Sequence, residues 1–475
     1  MSELPDRAAG PAANVVPGSL HAPKRFAFTA VAAGALAAML LPGAAVGLGF
    51  VLVAVALAVA ATLGGPTSDA WRSAALGALA VALAASAAFR DAGWVVAGEL
   101  VAALALGSVA MSVPRGWRAT VLASIAAPLR MASGAGLVAR AARCGLPYDA
   151  STRALALGRG LLLAGLLVAI FGALFAAGDS AFAQVADGLL PDELPLDDAP
   201  LRLVVFGLVV ALAGGFARAG AVVDAPARGP LLRLGRSEWL LALGALNALF
   251  ALFVAVQVAV LFGGDGYVRD TVGLTYAKYA RQGFGQLVVV GVLTLAVVAA
   301  ALRWARTESP RHARLLRALL TALCLLTLVV LGSALHRLGL YEQAFGYTRM
   351  RVAVHAFLLF GGALFCLLVG ALVSGRRTWL PRATVVLCGV AATAFWIADP
   401  DRRIATHNVE RYEATGRIDT AYLAQLSADA VPALVRLRAP LRERALSVQR
   451  ERLASSRDGL AGANLARHRA RSALK

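Results

Sequence analysis

Apolar residues run along this chain in long unbroken stretches, and polar residues cluster in short segments between them. A helix needs about 20 apolar residues to cross the hydrocarbon of a bilayer, with roughly 17 to 25 acceptable. Phe26 to Ser68 holds no charged residue, which is too long for one crossing, and Pro42-Gly43 divides it into a hairpin of two spans. Further runs are Ser73–Phe89, Ala92–Ser112, Gly160–Gly178, Leu203–Ala217, Trp239–Phe262, Gln282–Leu302, Ala318–Leu335, Val352–Gly375 and Ala383–Ala398. Together they predict about eleven spans. The runs are rich in Ala, Leu and Val and lack the alternation of a membrane barrel, so the expected fold is an all-α polytopic transmembrane bundle. Leu203–Ala217 and Ala383–Ala398 are short and need flanking residues, or snorkelling by Arg202, Arg218 and Arg382.

The remaining segments divide the chain. Residues 1–25 are Pro- and Ala-rich and read as disordered, and the first span reads as retained, not as a cleaved signal. Residues 26–235 form an N-terminal helical region with a basic loop, 236–398 a C-terminal helical region, and 399–475 a polar helical tail. Ala119–Arg143 carries Pro128 and is interrupted by Ser133, Gly134 and Gly136, which predicts an interfacial helix and loop. In the tail, Asp419 and Ser427 are placed to cap short helices. Leu441–Leu453 has a basic amphipathic pattern fit for a membrane surface or for solvent. The chain beyond Ser455 reads as disordered.

Composition supports the bilayer. Of 475 residues 59% are hydrophobic and 15% charged, against about 25% charged in a soluble domain. The net charge of +19 comes mostly from Arg. In a membrane protein such an excess marks cytoplasmic loops, so nucleic acid is not expected as a partner, whereas membrane lipids are. With the N-terminus inside, the basic clusters at Arg115–Arg159, Arg218–Arg236, Arg303–Arg317 and Arg376–Arg382 all fall on the cytoplasmic side. The acidic loop Asp179–Asp198 then falls outside. This threading predicts an inner (cytoplasmic) membrane protein with its N-terminus cytoplasmic and its C-terminal tail extracytoplasmic.

Several local patterns resemble an uncharacterised bacterial membrane family. They are Tyr276-Ala-Lys-Tyr-Ala-Arg-Gln-Gly-Phe284, Leu340-Tyr-Glu-Gln-Ala-Phe-Gly-Tyr-Thr-Arg-Met-Arg351, Asn408-Val-Glu-Arg-Tyr412 and Tyr422-Leu-Ala-Gln-Leu-Ser-Ala-Asp-Ala-Val-Pro432, with Ala245-Leu-Asn-Ala-Leu-Phe250 and Leu261-Phe-Gly-Gly264. Together they are similar to the family known as domain of unknown function 4173, over roughly Arg236 to Leu437. The N-terminal half matches only in general character. The resemblance implies no activity.

The same threading gathers polar residues on the external side: Tyr276, Lys278 and Arg281; Tyr341, Glu342, Arg349, Arg351 and His355; and His407, Asn408 and Arg411. Tyr, Arg, Asn and His together suit a polar or anionic ligand. The alternative is ordinary interface anchoring, with Glu342 and Arg349 pinning two helices. Glu99 lies inside an apolar run and must face the bundle interior or water, as hydrogen-bonded glue or as a proton or cation site. Asn247 and Gln257 read as interhelical hydrogen bonds. Cys144, Cys324, Cys366 and Cys388 have no metal-ligand spacing, and no phosphate loop, His-Glu-x-x-His or Gly-x-Ser-x-Gly motif is present. No metal and no cofactor are expected.

Three function classes remain open. The first is a non-enzymatic transporter or receptor-like protein with an extracytoplasmic recognition site. The second is a membrane-embedded enzyme acting on a lipid-linked or cell-envelope substrate, with Glu342 or His355 as acid or base. The third is an assembly scaffold working through the tail.

Overall fold

The computed structural model describes residues 24–64, 70–112, 114, 116–143, 198–222, 233–272, 284–455 and 458–475, with side chains described only up to Gln257 in the helix that ends at Val272. These residues are helical throughout, apart from turns and one isolated bridge between Leu234 and Ala305. Among the described residues, eight helices are long and apolar enough to cross a membrane. The chain is an all-α polytopic membrane bundle.

In chain order the helices are α1 (Lys24–Leu40), α2 (Leu48–Gly64), α3 (Ala70–Ala84), α4 (Ser86–Phe89), α5 (Gly93–Ser112), α6 (Trp117–Ser124), α7 (Ala126–Leu129), α8 (Met131–Arg143), α9 (Ala199–Arg218) and α10 (Arg236–Val272). They continue as α11 (Phe284–Trp304), α12 (Pro310–Phe345), α13 (Arg349–Ser374), α14 (Leu380–Ile397), α15 (Pro400–Thr415), α16 (Thr420–Ala424), α17 (Val431–Leu434), α18 (Leu441–Ser455) and α19 (Leu465–Leu474). Every expected span falls on a helix except Gly160–Gly178, which lies outside the described residues.

Local chemistry sets the helix ends. Ser309 caps α12 by accepting from the His312 N–H at 3.3 Å, with Pro310 at the first turn. Thr348 caps α13 in the same way. Gly346 (φ 82°) ends α12 and Gly375 (φ 68°) ends α13, both in the positive-φ region that glycine enters without a Cβ clash. Asp399 takes φ 54° without being glycine, held there while it caps α15.

Two findings differ from the sequence reading. Met131–Arg143 is one helix running straight through Ser133, Gly134 and Gly136, because those small residues permit close approach. At Gly134 the backbone lies against that of Gly214 and Gly215 of α9, where any side chain would collide with main chain. Residues 458–475, expected to be disordered, are packed on the rest of the protein. Asn464 caps α19, and Ala466, Arg467 and Ala470 are buried.

The tail forms its own core of Ile404, Leu426, Val431, Leu434, Leu446 and Leu453. The apolar side of α18 faces this core, so it is not spent on a membrane surface. The tail seats on one end of the bundle, the tail end. There the Leu48 N–H donates to Ala463 O at 3.0 Å and the Gly49 N–H to Ala461 O at 2.7 Å, tying the α1–α2 connection to the chain before α19. The α4–α5 and α12–α13 connections reach the same end. At the opposite, arginine end, Leu234 exchanges backbone hydrogen bonds with Trp304 and Arg306, and Trp239 Nε1 donates to Arg306 O at 3.2 Å. The described connections therefore fall at two opposite ends of the bundle.

Candidate functional site

The short α12–α13 connection, Gly346 to Thr348, carries most of the expected site residues to the tail end. Asn408 clamps it: its Oδ1 accepts from the Tyr347 N–H at 3.0 Å and its Nδ2 donates to Tyr347 O at 2.9 Å. Arg411 covers the open end of α12, donating from Nε to Gln343 O at 3.2 Å and from Nη2 to Ala344 O at 2.7 Å. Arginine in this position satisfies carbonyls that a helix C-terminus leaves unpaired. Asn408 and Arg411 thus work on the backbone.

Arg349 does not pair with Glu342. Gly346 breaks the helix between them, so a spacing of seven no longer puts them on one face. The Arg349 guanidinium grips Asp401 instead, Nε to Oδ1 at 3.0 Å and Nη2 to Oδ2 at 2.5 Å. Asp401 is fully buried and also accepts from Trp94 Nε1 at 3.1 Å and the Ser427 N–H at 2.9 Å. Burial alone pushes its carboxyl up, but these donors and the Arg349 charge hold it below its ordinary value.

Around this hub lies a network absent from the sequence reading. Arg90 pairs with Asp399 and lies 3.6 Å from Asp429. Asp429 Oδ2 accepts from the Asp91 and Ala92 N–H groups at 2.8 and 3.0 Å, serving the start of α5, and Asp91 returns the contact by accepting from the Ala428 N–H at 3.1 Å. Burial and the neighbouring Asp399 push Asp429 up to about 6. Arg467 reaches Asp91 at 2.8 Å and Asp458 at 2.9 Å. Asn464 donates to Ala87 O and Arg90 O. The only hint in the sequence was a pair of acids flanking Pro400 just beyond the last span.

Glu342, at the same end, is satisfied on one oxygen only. Glu342 is 1% exposed. Its Oε2 sits 3.5 Å from His355 Nδ1, and among the described residues its Oε1 has no hydrogen-bond partner. Arg351 lies over Tyr341, its Cζ 4.1 Å from the ring centroid, and also reaches Gly346 O. His407 stacks on Tyr347 with centroids 4.6 Å apart and contacts Glu410 at 3.2 Å. Burial, with Glu342 and Glu410 close by, holds the Tyr347 phenol above its ordinary range. A buried carboxylate is thus ringed by Arg351, His355 and Tyr341, all half-exposed, with the exposed His407 beside them. Tyr276, Lys278 and Arg281 lie outside the described residues.

The intramembrane polar residues divide similarly. Asn247 Nδ2 donates to Leu319 O at 3.2 Å, linking α10 to α12. Gln257 Oε1 accepts from Ser333 at 3.1 Å and Arg337 at 2.6 Å, a second link between those helices. Glu99 is buried, and its Oε2 has no hydrogen-bond partner among the described residues. No metal-binding cluster of His, Cys, Asp or Glu occurs among the described residues.

Comparison with curated proteins and with solved structures found no match. A family model does match, over residues 77–437, and its description is a domain of unknown function, DUF4153. This corrects the resemblance to family 4173: the match takes in all the motifs that carried it, yet begins far earlier, inside α3. The earlier limit at Arg236 followed from weighing the polar connections, whereas the Ala- and Leu-rich spans before it carry few distinctive residues. With most of its length inside that match, the chain belongs to the uncharacterised DUF4153 family of unknown function.

Proposed function

We propose that this integral membrane protein is a non-enzymatic transporter or receptor-like protein that recognises a polar or anionic ligand at its tail end, in the extracytoplasmic compartment. The observation that carries this reading is Glu342, a buried carboxylate with one oxygen on His355 and the other unpartnered, beneath Arg351 and Tyr341. A buried ionisable group is costly unless its partners compensate, and such groups mark functional sites. Arg351 supplies a positive charge and several N–H donors for such a ligand, and His355 and His407 add ring nitrogens able to hydrogen-bond it. Arg349, Asn408 and Arg411 act as the frame. The sidedness rests on the arginine-rich connections at the other end.

The test is uptake by purified protein in liposomes, screened with small organic anions. Glu342→Gln and Arg351→Ala abolish uptake or binding under this reading, while Arg376→Ala leaves both intact. Unchanged uptake in the first two variants removes it.

The second reading, an envelope-substrate enzyme, draws support from the same contact, since Glu342 and His355 are close enough to pass a proton. Turnover of a lipid-linked sugar, lost in both Glu342→Gln and His355→Ala, would favour it. The scaffold reading draws less support, because the inward face of the tail is spent on the bundle. A phenotype on deleting residues 399–475 that a wild-type bundle fails to rescue would revive it.

A further inference from the structure

The two halves of the bundle meet mainly where α14 packs on α3 and α5. Beside that seam, at the arginine end, they part around a cavity of about 1700 Å³. Helices α3, α5 and α6 line one side and α11, α13 and α14 the other. Its volume exceeds the roughly 300 to 1,000 Å³ of ordinary small-molecule pockets.

The lining is divided by depth. Toward the helix ends stand Arg72, Arg303, Arg377 and Arg382, accompanied by Trp71 and Trp304. Toward the membrane centre the walls are apolar, as at Leu76, Leu295, Leu368 and Val385. Among the described residues, no Asp or Glu lines the cavity. Arg303, Arg377 and Arg382 are exposed, and Arg72 lies 5.3 Å over the ring of Trp71.

Tryptophan and arginine at a helix end often do no more than anchor it at the interface. Two features go beyond anchoring. The cationic groups converge from both halves on one concavity, and that concavity continues as an apolar trough along the spans. Basic clefts between transmembrane helices suit anionic headgroups, and the trough suits acyl chains. A purely aqueous solute would leave the trough empty.

We infer that this cavity is a binding site for an anionic phospholipid, its headgroup among Arg72, Arg303, Arg377 and Arg382 and its chains between the two halves of the bundle. The lipid fills the gap beside α14 and so couples the halves where direct packing is thin. The site is separate from the Glu342 cluster, which lies at the opposite end, and does not depend on it.

The experiment is native mass spectrometry of the purified full-length protein, released from detergent supplied with equal phosphatidylglycerol and phosphatidylcholine. Wild type retains phosphatidylglycerol preferentially. The double variant Arg303→Ala/Arg377→Ala, which removes two exposed side chains, lowers that retention on the order of tenfold. Ala299→Trp, which projects bulk from an exposed wall position into the trough, lowers it as well. Equal retention of the two lipids by wild type overturns the site. So does a loss in the arginine variant with full retention in Ala299→Trp, which indicates surface attraction without a seated lipid.

Discussion

The two ends of this bundle use arginine in opposite ways. At the tail end guanidinium groups meet carboxylates: Arg90 with Asp399, Arg349 with Asp401, and Arg467 with Asp91 and Asp458. At the other end arginines lean on carbonyls and rings, as Arg317 does on Ala313 O, Arg140 on Gly136 O and Arg72 on Trp71. Paired and buried, the charge fixes one arrangement of the tail on the bundle. Left exposed, the charge is of the kind that keeps loops on the cytoplasmic side of a membrane, and the proposed lipid site would draw on it. One residue type thus specifies docking at one end and orientation at the other.

The comparison breaks first at Asp401. Replacing it with Ala leaves the Arg349 charge, the Trp94 indole N–H and the Ser427 N–H without their acceptor. Removing one partner from a buried pair costs about 4 kcal/mol. Thermal unfolding in detergent should show the tail detaching early, with new protease sensitivity near Arg417.

Asp429 gives the next largest effect, and its sign is distinctive. Its carboxyl stands at about 6 against an ordinary 3.8. The native state therefore holds this proton more tightly than the unfolded chain does. The associated stability is present below pH 4 and is lost as pH rises toward 6, by roughly 2 to 3 kcal/mol. Melting temperatures of wild type and Asp429→Asn across pH 4 to 7 should show wild type losing ground to the variant as pH rises. Asp401, held low, acts in the other direction: its contribution is present above its ordinary value and lost on acidification.

Asn464→Ala sharpens the picture of the last helix. It removes the α19 cap and leaves Ala87 O and Arg90 O without this donor, a loss of about 2 kcal/mol by chemical denaturation. Smallest of all is Arg376→Ala at the other end, where an exposed side chain should change stability by less than about 0.5 kcal/mol.

The spans were legible because the requirement for lipid-crossing length is written in consecutive residues. The tail was not, because its packing is set by partners hundreds of positions away. Arg467 sits in the basic run Leu465–Leu474, which reads as solvated until Asp91 and Asp458 are seen beside it. Asp429 has no local signature that singles it out, yet it serves the α5 backbone. In the candidate site, Glu342 and His355 were both visible, and their contact was not, since it requires the chain to reverse at Gly346. Gly134 was taken as an interruption because close helix contact and helix breaking use the same residue.

The tail end and the arginine end must face opposite compartments. Single cysteines at Gln343, Ser472 and Ser374, placed in a chain lacking its four native cysteines, test this with an impermeant thiol reagent on intact cells. Cysteines at 343 and 472 should react from the same side, and the one at 374 only after the membrane is opened. A cysteine at 472 that reacts from the side of 374 and not of 343 would separate the tail from the loops it is said to grip and contradict the account.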